Sequence, residues 1–387
     1  MLILVTCLRF TWLARVGRID MPLCAACAWA IVGFLMAFQA TGWRRGGWLA
    51  VAWFALAAGV MLKGPIGLVL PALVLTVLAV GDLLARDSNR LRLWLRSCLW
   101  GVPLALCLTL PWFLAMDRAT DGRGFHEFFV RHNLQRGLGG DEQLDGHEHP
   151  AWFYLVQLGV DALPWSWLLP LMGIALWRRP ELRSRETFVG LVWFTALLLF
   201  LSLMRYKRPD YLLPAYPGLA LALGSLLDSW LARQSPARVR VVGRGLVGLA
   251  AGLALGWWAY VDLLLPRWEP ARELRSFAQA GREISPCPTQ IILFRIDSHH
   301  LVFHLGPSTE RLWEWENLDW WACRPAQVYF IMPGEWADQC AEHLSQGRLY
   351  PVLTIHHVVG GAHEQPLRER HQAAARRPQR HGPGRDQ

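Results

Sequence analysis

Of the 39 basic residues in this 387-residue chain, only two are lysines, Lys63 and Lys207, and both stand at the edges of apolar runs. An ammonium in the middle of a bilayer costs roughly 2.5–3.5 kcal/mol on insertion scales, so an intramembrane lysine marks a functional position by default. At a helix break near the surface Lys63 can also snorkel to the headgroups, and that is the competing reading. Arg205-Tyr206-Lys207-Arg208 gathers three cations in one short loop. Guanidinium forks and ammonium point charges suit phosphate oxygens, so the chemistry indicated is binding of a lipid-linked phosphate, with plain headgroup anchoring as the alternative.

Three further groups qualify. His132 and Arg136 are four apart and would share one face of a helix. His147-Glu148-His149-Pro150 leads straight into Trp152-Phe153-Tyr154, a pattern able to shuttle protons or to hold a divalent metal. The sequence requires no cofactor, and the metal stays open. Asp20, close to Arg18, is either a helix cap or a carboxylate offered to a polar cavity.

The elements that position these residues are membrane spans. Apolar residues make up 53% of the chain and charged residues 18%, against about 45–50% and about 25% in soluble domains. The net charge of +9 is no nucleic-acid signature, because the arginines punctuate apolar runs and form no stripe. Cys24 and Cys27 form a CxxC inside an apolar run, where packing explains them, and neither a zinc ribbon nor a disulfide scaffold fits the eight cysteines. Spans are expected at 21–40, 47–62, 65–81, 98–116, 152–176, 188–204, 211–231 and 243–265. Residues 46–81 carry one charge, Lys63. As one helix they would run ~54 Å through a hydrocarbon core of ~30 Å, so Lys63-Gly64-Pro65 must break them into two. The fold class expected is an all-α polytopic bundle of about eight spans with a small C-terminal α/β domain.

Arg44/Arg45, Arg86–Arg96, Arg178–Arg185 and Arg233–Arg244 fall in alternate loops, which the positive-inside bias assigns to the cytoplasm. The other loops then face outward: Asp20, the Lys63 turn, 117–151 with seven acidic residues and four arginines, 205–210, and everything after 266. Every polar cluster named above sits on that outer face.

Residues 1–8 are apolar but too short to span, and they read as the tail of a helix. Residues 266–360 change character. Surface-helix composition at 270–284 is followed by strand-like runs at 290–296, 301–305, 327–332 and 352–359, with a helical stretch at 335–346. Trp313, Trp315, Trp320 and Trp321 read as core and interfacial belt in preference to a sugar platform. Residues 361–387, rich in Arg, Gln and Pro, are expected to be disordered.

Six segments in order resemble glycosyltransferase family 39, the GT-C membrane enzymes that include protein mannosyltransferases and aminoarabinose transferases. They are Arg18-Ile-Asp-Met-Pro22, Leu62-Lys-Gly-Pro65, His132-Asn-x-x-Arg136, His147-x-x-Pro150 with Tyr154, Leu163-Pro-Trp165 and Lys207-Arg-Pro-Asp-Tyr-Leu-Leu-Pro214. The resemblance covers roughly Arg9–Gly224. It implies a transferase in the cytoplasmic membrane that moves a sugar from a polyprenyl-phosphate donor to a lipid, glycan or protein acceptor on the outer face. By that analogy Lys63, Arg136, Arg205, Lys207 and Tyr211 hold the donor phosphate, while Asp20, His132 and His147 are the catalytic candidates. The family's acidic motif lies in its first outer loop. The chain is expected to begin after that loop, so that it reads as N-terminally truncated. An inactive truncated fragment is one alternative, and a transporter or flippase of lipid-linked sugars is the other. The latter would show two related halves with matched broken helices, and only the break at Lys63 is visible.

Overall fold

The computed structural model describes residues 2–126, 128–130, 149–268, 274–285, 290–296, 298–306, 309–324, 327–345, 349–357 and 370–376. The chain forms two compact units, Met1–Ala254 and Leu255–Gln387.

The first unit is helical. After α1 (Leu2–Val5) and α2 (Leu8–Arg15) come α3 (Asp20–Gln39), α4 (Gly42–Lys63), α5 (Ile66–Leu84) and α6 (Asn89–Ala119). These are followed by α7 (Phe153–Asp161), α8 (Leu168–Arg178), α9 (Arg185–Leu203), a 3-10 segment at Pro209–Ala215, α10 (Tyr216–Leu231) and α11 (Pro236–Trp258). Seven segments among the described residues are long and apolar enough to cross a membrane. The eighth expected span, 152–176, consists of α7 and α8, each too short to cross alone. Pro164, which cannot donate a helical hydrogen bond, lies between them.

The Lys63 break is where length arithmetic put it. Gly64 caps α4 at φ 72°, a conformation glycine adopts without steric cost, and Pro65 precedes the first turn of α5. The two helices then fold back in close contact. A Cβ on Gly67 would lie 2.2 Å from the backbone of Gly59. Gly67→Ala should therefore pry α4 from α5 and lower the thermal unfolding midpoint in detergent by several degrees, whereas Gly81→Ala, with open space around it, should leave it unchanged.

α3 fixes the two ends of the bundle, because its 20 residues span ~30 Å. Near its C-terminus the Phe38 ring lies under the guanidinium groups of Arg90 and Arg185, at 4.9 and 5.5 Å. Arg90 also pairs with Asp82 at 2.9 Å. The arginine-rich loops before α6 and α9 thus share one end. Asp20, Lys63 and Tyr211 meet at the other.

The second unit contains a five-stranded sheet, β1 (Ile291–Phe294), β2 (Glu310–Leu312), β3 (Tyr329–Pro333), β4 (Tyr350–His357) and β5 (Arg370–Arg376), in the order β2-β1-β3-β5-β4. β2, β1 and β3 are parallel, and β5 runs antiparallel between β3 and β4. Helices α12 (Arg275–Ile284) and α13 (His299–Leu305) cover one face through Phe277, Leu301 and Leu305. Helix α14 (Trp315–Ala322) covers the other through Leu318 and Ala322.

Two expectations are corrected here. Residues 301–305 form a helix, because Leu301 and Leu305 are four apart, both are buried, and the Ser298 hydroxyl caps the Leu301 N–H. Residues 370–376, in the stretch expected to lack structure, form β5, which satisfies the second edge of the fully buried strand β3.

Candidate functional site

The site grows from the N-terminus of α3 and the C-terminus of α4. Asp20, 8% exposed, accepts from the Lys63 ammonium at 2.5 Å. Lys63 also lies 4.3 Å from the centroid of the Tyr211 ring. Three separate elements therefore converge on one ammonium, which a carboxylate and an aromatic face hold together.

Tyr211 is placed by its neighbour Asp210. This buried carboxylate accepts from Arg18 and lies 3.7 Å from Arg9 and 3.8 Å from Arg208. Arg9 pairs in turn with Asp161 of α7 at 2.8 Å. The Tyr154 hydroxyl donates to the Arg208 carbonyl at 3.1 Å, tying α7 to the same loop. Sequence reasoning did not single out Arg9, Asp161 or Asp210 as site residues. Asp161 carried the usable signal, being a lone acid inside the apolar stretch 152–176.

Lys207 is 3% exposed and donates to the carbonyls of His149, at 2.7 Å, and Met204. Burial pulls its ammonium below the ordinary lysine value. It lines a cavity of about 540 Å³ with Arg205, His149, Ala151 and Ser202. Lys63 is absent from the described lining of that cavity. The structure thus gathers Asp20, Lys63 and Tyr211 at one point and Arg205 with Lys207 around another. His132, Arg136 and His147 lie outside the described residues. Among the described residues no three His, Cys, Asp or Glu side chains are grouped so as to hold a metal ion.

Arg9, Arg18, Lys63 and Arg208 meet the three carboxylates Asp20, Asp161 and Asp210 in these contacts, and Arg205 and Lys207 line the cavity without a carboxylate in its described lining. Cations are in excess among the described residues. Such an end attracts an anion, and phosphate oxygens fit its donors.

The fold is that of a polytopic helical membrane protein and resembles solved structures of the GT-C fold. ArnT from Cupriavidus metallidurans bound to undecaprenyl phosphate superposes with a TM-score of 0.65 at 21% identity, covering 96% of this chain and 77% of that one. In sequence the chain is 34% identical over 202 residues to undecaprenyl phosphate-alpha-4-amino-4-deoxy-L-arabinose arabinosyl transferase 1 of Pseudomonas fluorescens (strain Pf0-1), covering 52% of this chain and 33% of that protein. It is also 34% identical over 244 residues to transferase 2 of the same strain, covering 61% of this chain and 40% of that protein. The corresponding transferase of Serratia proteamaculans (strain 568) is 29% identical over 230 residues, 58% of this chain and 39% of that protein. The chain therefore spans 33 to 40% of the length of these curated relatives. No family model matches it. The resemblance read from the six sequence motifs and these comparisons point to the same proteins.

Proposed function

We propose that this chain is an integral-membrane glycosyltransferase of the cytoplasmic (inner) membrane. Its donor is a polyprenyl-phosphate-linked sugar, and its acceptor is a lipid, glycan or protein. The observation that carries the reading is the meeting of Asp20, Lys63 and Tyr211 at one end of the bundle, beside an excess of cations. Similarity to relatives named for an undecaprenyl-phosphate-linked aminoarabinose supports it.

In the transfer, an acceptor oxygen bonds to the anomeric carbon as the bond from that carbon to the phosphate oxygen breaks. The electron pair leaves on the polyprenyl phosphate. Lys63, supported by Tyr211, counters that growing negative charge directly, and Arg205 and Lys207 at their own cavity, with Arg136, add positive potential. Donor phosphate draws Lys63 away from Asp20. The freed carboxylate, with His132 and His147, then takes the acceptor proton. The positive-inside bias puts this end outside the cytoplasm, with residues 266–360 as an extracytoplasmic domain.

Membranes containing the chain, supplied with labelled undecaprenyl-phosphate aminoarabinose, should move label to an acceptor and release undecaprenyl phosphate. Movement of the intact labelled lipid between leaflets, with no cleavage of the sugar–phosphate bond, would replace this reading with transport.

A further inference from the structure

In the second unit the carboxyl ends of three parallel strands converge on one guanidinium. β1 leads into α13 on one face of the sheet, whereas its neighbour β2 leads into α14 on the opposite face. Adjacent strands whose connections diverge in this way leave a crevice at their carboxyl edge, where open α/β sheets bind ligands.

Arg295 is the first residue after β1, and its φ of 52° lies in the left-handed region that a non-glycine residue rarely adopts. Strain of this kind collects at functional positions. The Arg295 guanidinium lies 4.4 Å from the Trp336 ring and 5.1 Å from the Trp315 ring, and its Nε donates to the Trp313 carbonyl at 2.8 Å. Trp313 and Trp315 follow β2, and Trp336 follows β3. The His343 ring stacks on Trp315 at 4.2 Å. Among the described residues Arg295 has no carboxylate partner, and its two Nη atoms make no hydrogen bond. Trp313, whose carbonyl takes the Arg295 Nε hydrogen, has a side chain that is 52% exposed.

We infer that this edge binds a sugar bearing an oxyanion, either a phosphate or a carboxylate. The Nη pair of Arg295 takes the oxyanion in a bidentate fork, and the exposed Trp313 indole takes the apolar face of the ring. The aromatic rings under the guanidinium hold it in place and exclude the water that would compete for it. The donor-phosphate reading of the first unit is not needed for this inference.

Calorimetric titration of the full chain in detergent tests it, with glucose 1-phosphate, glucuronate, glucose and inorganic phosphate as probes. Both charged sugars should bind, with glucose and inorganic phosphate weaker by about tenfold or more. Arg295→Gln should weaken the charged sugars by a similar factor, and Trp313→Ala should do so through the lost stacking. Arg324→Gln, whose guanidinium lies over Trp320 and Trp321 at 3.6 and 4.2 Å, should leave the isotherm unchanged. Loss of binding in Arg295→Gln and Trp313→Ala, both of which keep Lys63, separates this site from the donor site. Should Arg295→Gln fail to fold, the exposed Trp313→Ala decides. Undiminished binding in Trp313→Ala and Arg295→Gln, equal affinity for bare phosphate, or no binding by the intact chain would overturn the inference.

Discussion

Lys63→Met should lower kcat/KM for sugar transfer by on the order of 10²–10³, measured on the folded fraction, because the buried Asp20 also loses its partner. The ammonium is one of only two in the chain, and it stands where α4 ends, against Asp20 at 2.5 Å and the Tyr211 ring at 4.3 Å. Its methylene stem is retained in methionine, so packing changes little and the charge alone is removed. Lys63→Arg keeps the charge but offers a planar fork in place of a compact ammonium, and it should restore only part of the rate. Asp20→Asn frees Lys63 from its carboxylate. If Asp20 both holds Lys63 and takes the acceptor proton, this variant should lower kcat more than it raises KM. A rise in KM with kcat unchanged would reduce Asp20 to a donor-binding role.

Asp161→Ala is expected to have the largest effect on stability. Its carboxylate, in the α7 helix, meets Arg9 at 2.8 Å and accepts from Gln157 at 2.9 Å. Removing one partner of a buried pair leaves the other charge uncompensated and costs about 3–5 kcal/mol. That corresponds to a drop in the unfolding midpoint of about 4–6 °C for a chain of this size. The double variant Arg9→Met with Asp161→Leu removes both charges at once and should recover most of the loss. Thermal unfolding in detergent distinguishes the two. Equal loss in the single and double variants would show that the pair does not act as a unit. The Arg9–Asp161 pair also ties α2 to α7, and Arg9 reaches Asp210 at 3.7 Å. Asp161→Ala should therefore loosen the segment that carries Tyr211 as well.

The sequence made the spans legible because length in a membrane is a hard constraint. The 36 residues from 46 to 81 do not fit a bilayer as one helix, and the break fell at Lys63-Gly64-Pro65. The grouping of Asp20 with Lys63 at one end followed from counting spans between them. The ion pair itself was not legible, since alternation of loops assigns an end and not a partner. Arg9, Asp161 and Asp210 were missed for the same reason, because their pairing depends on how α2, α7 and the 209–215 segment pack. The small sheet was read less well. Residues 301–305 offer five positions, too few to separate a period of 2 from one of 3.6 until Leu301 and Leu305 are known to be buried together. β5, with its run of alanines, has little strand propensity and owes its place to the buried strand beside it.

Direct titration of the detergent-purified chain with undecaprenyl phosphate, at low and raised salt, tests the central electrostatic claim most simply. Saturable binding that weakens with salt and that Lys63→Met reduces by about tenfold or more is the expected result. Binding of equal strength in the wild-type chain and in Lys63→Met, insensitive to salt, would contradict it.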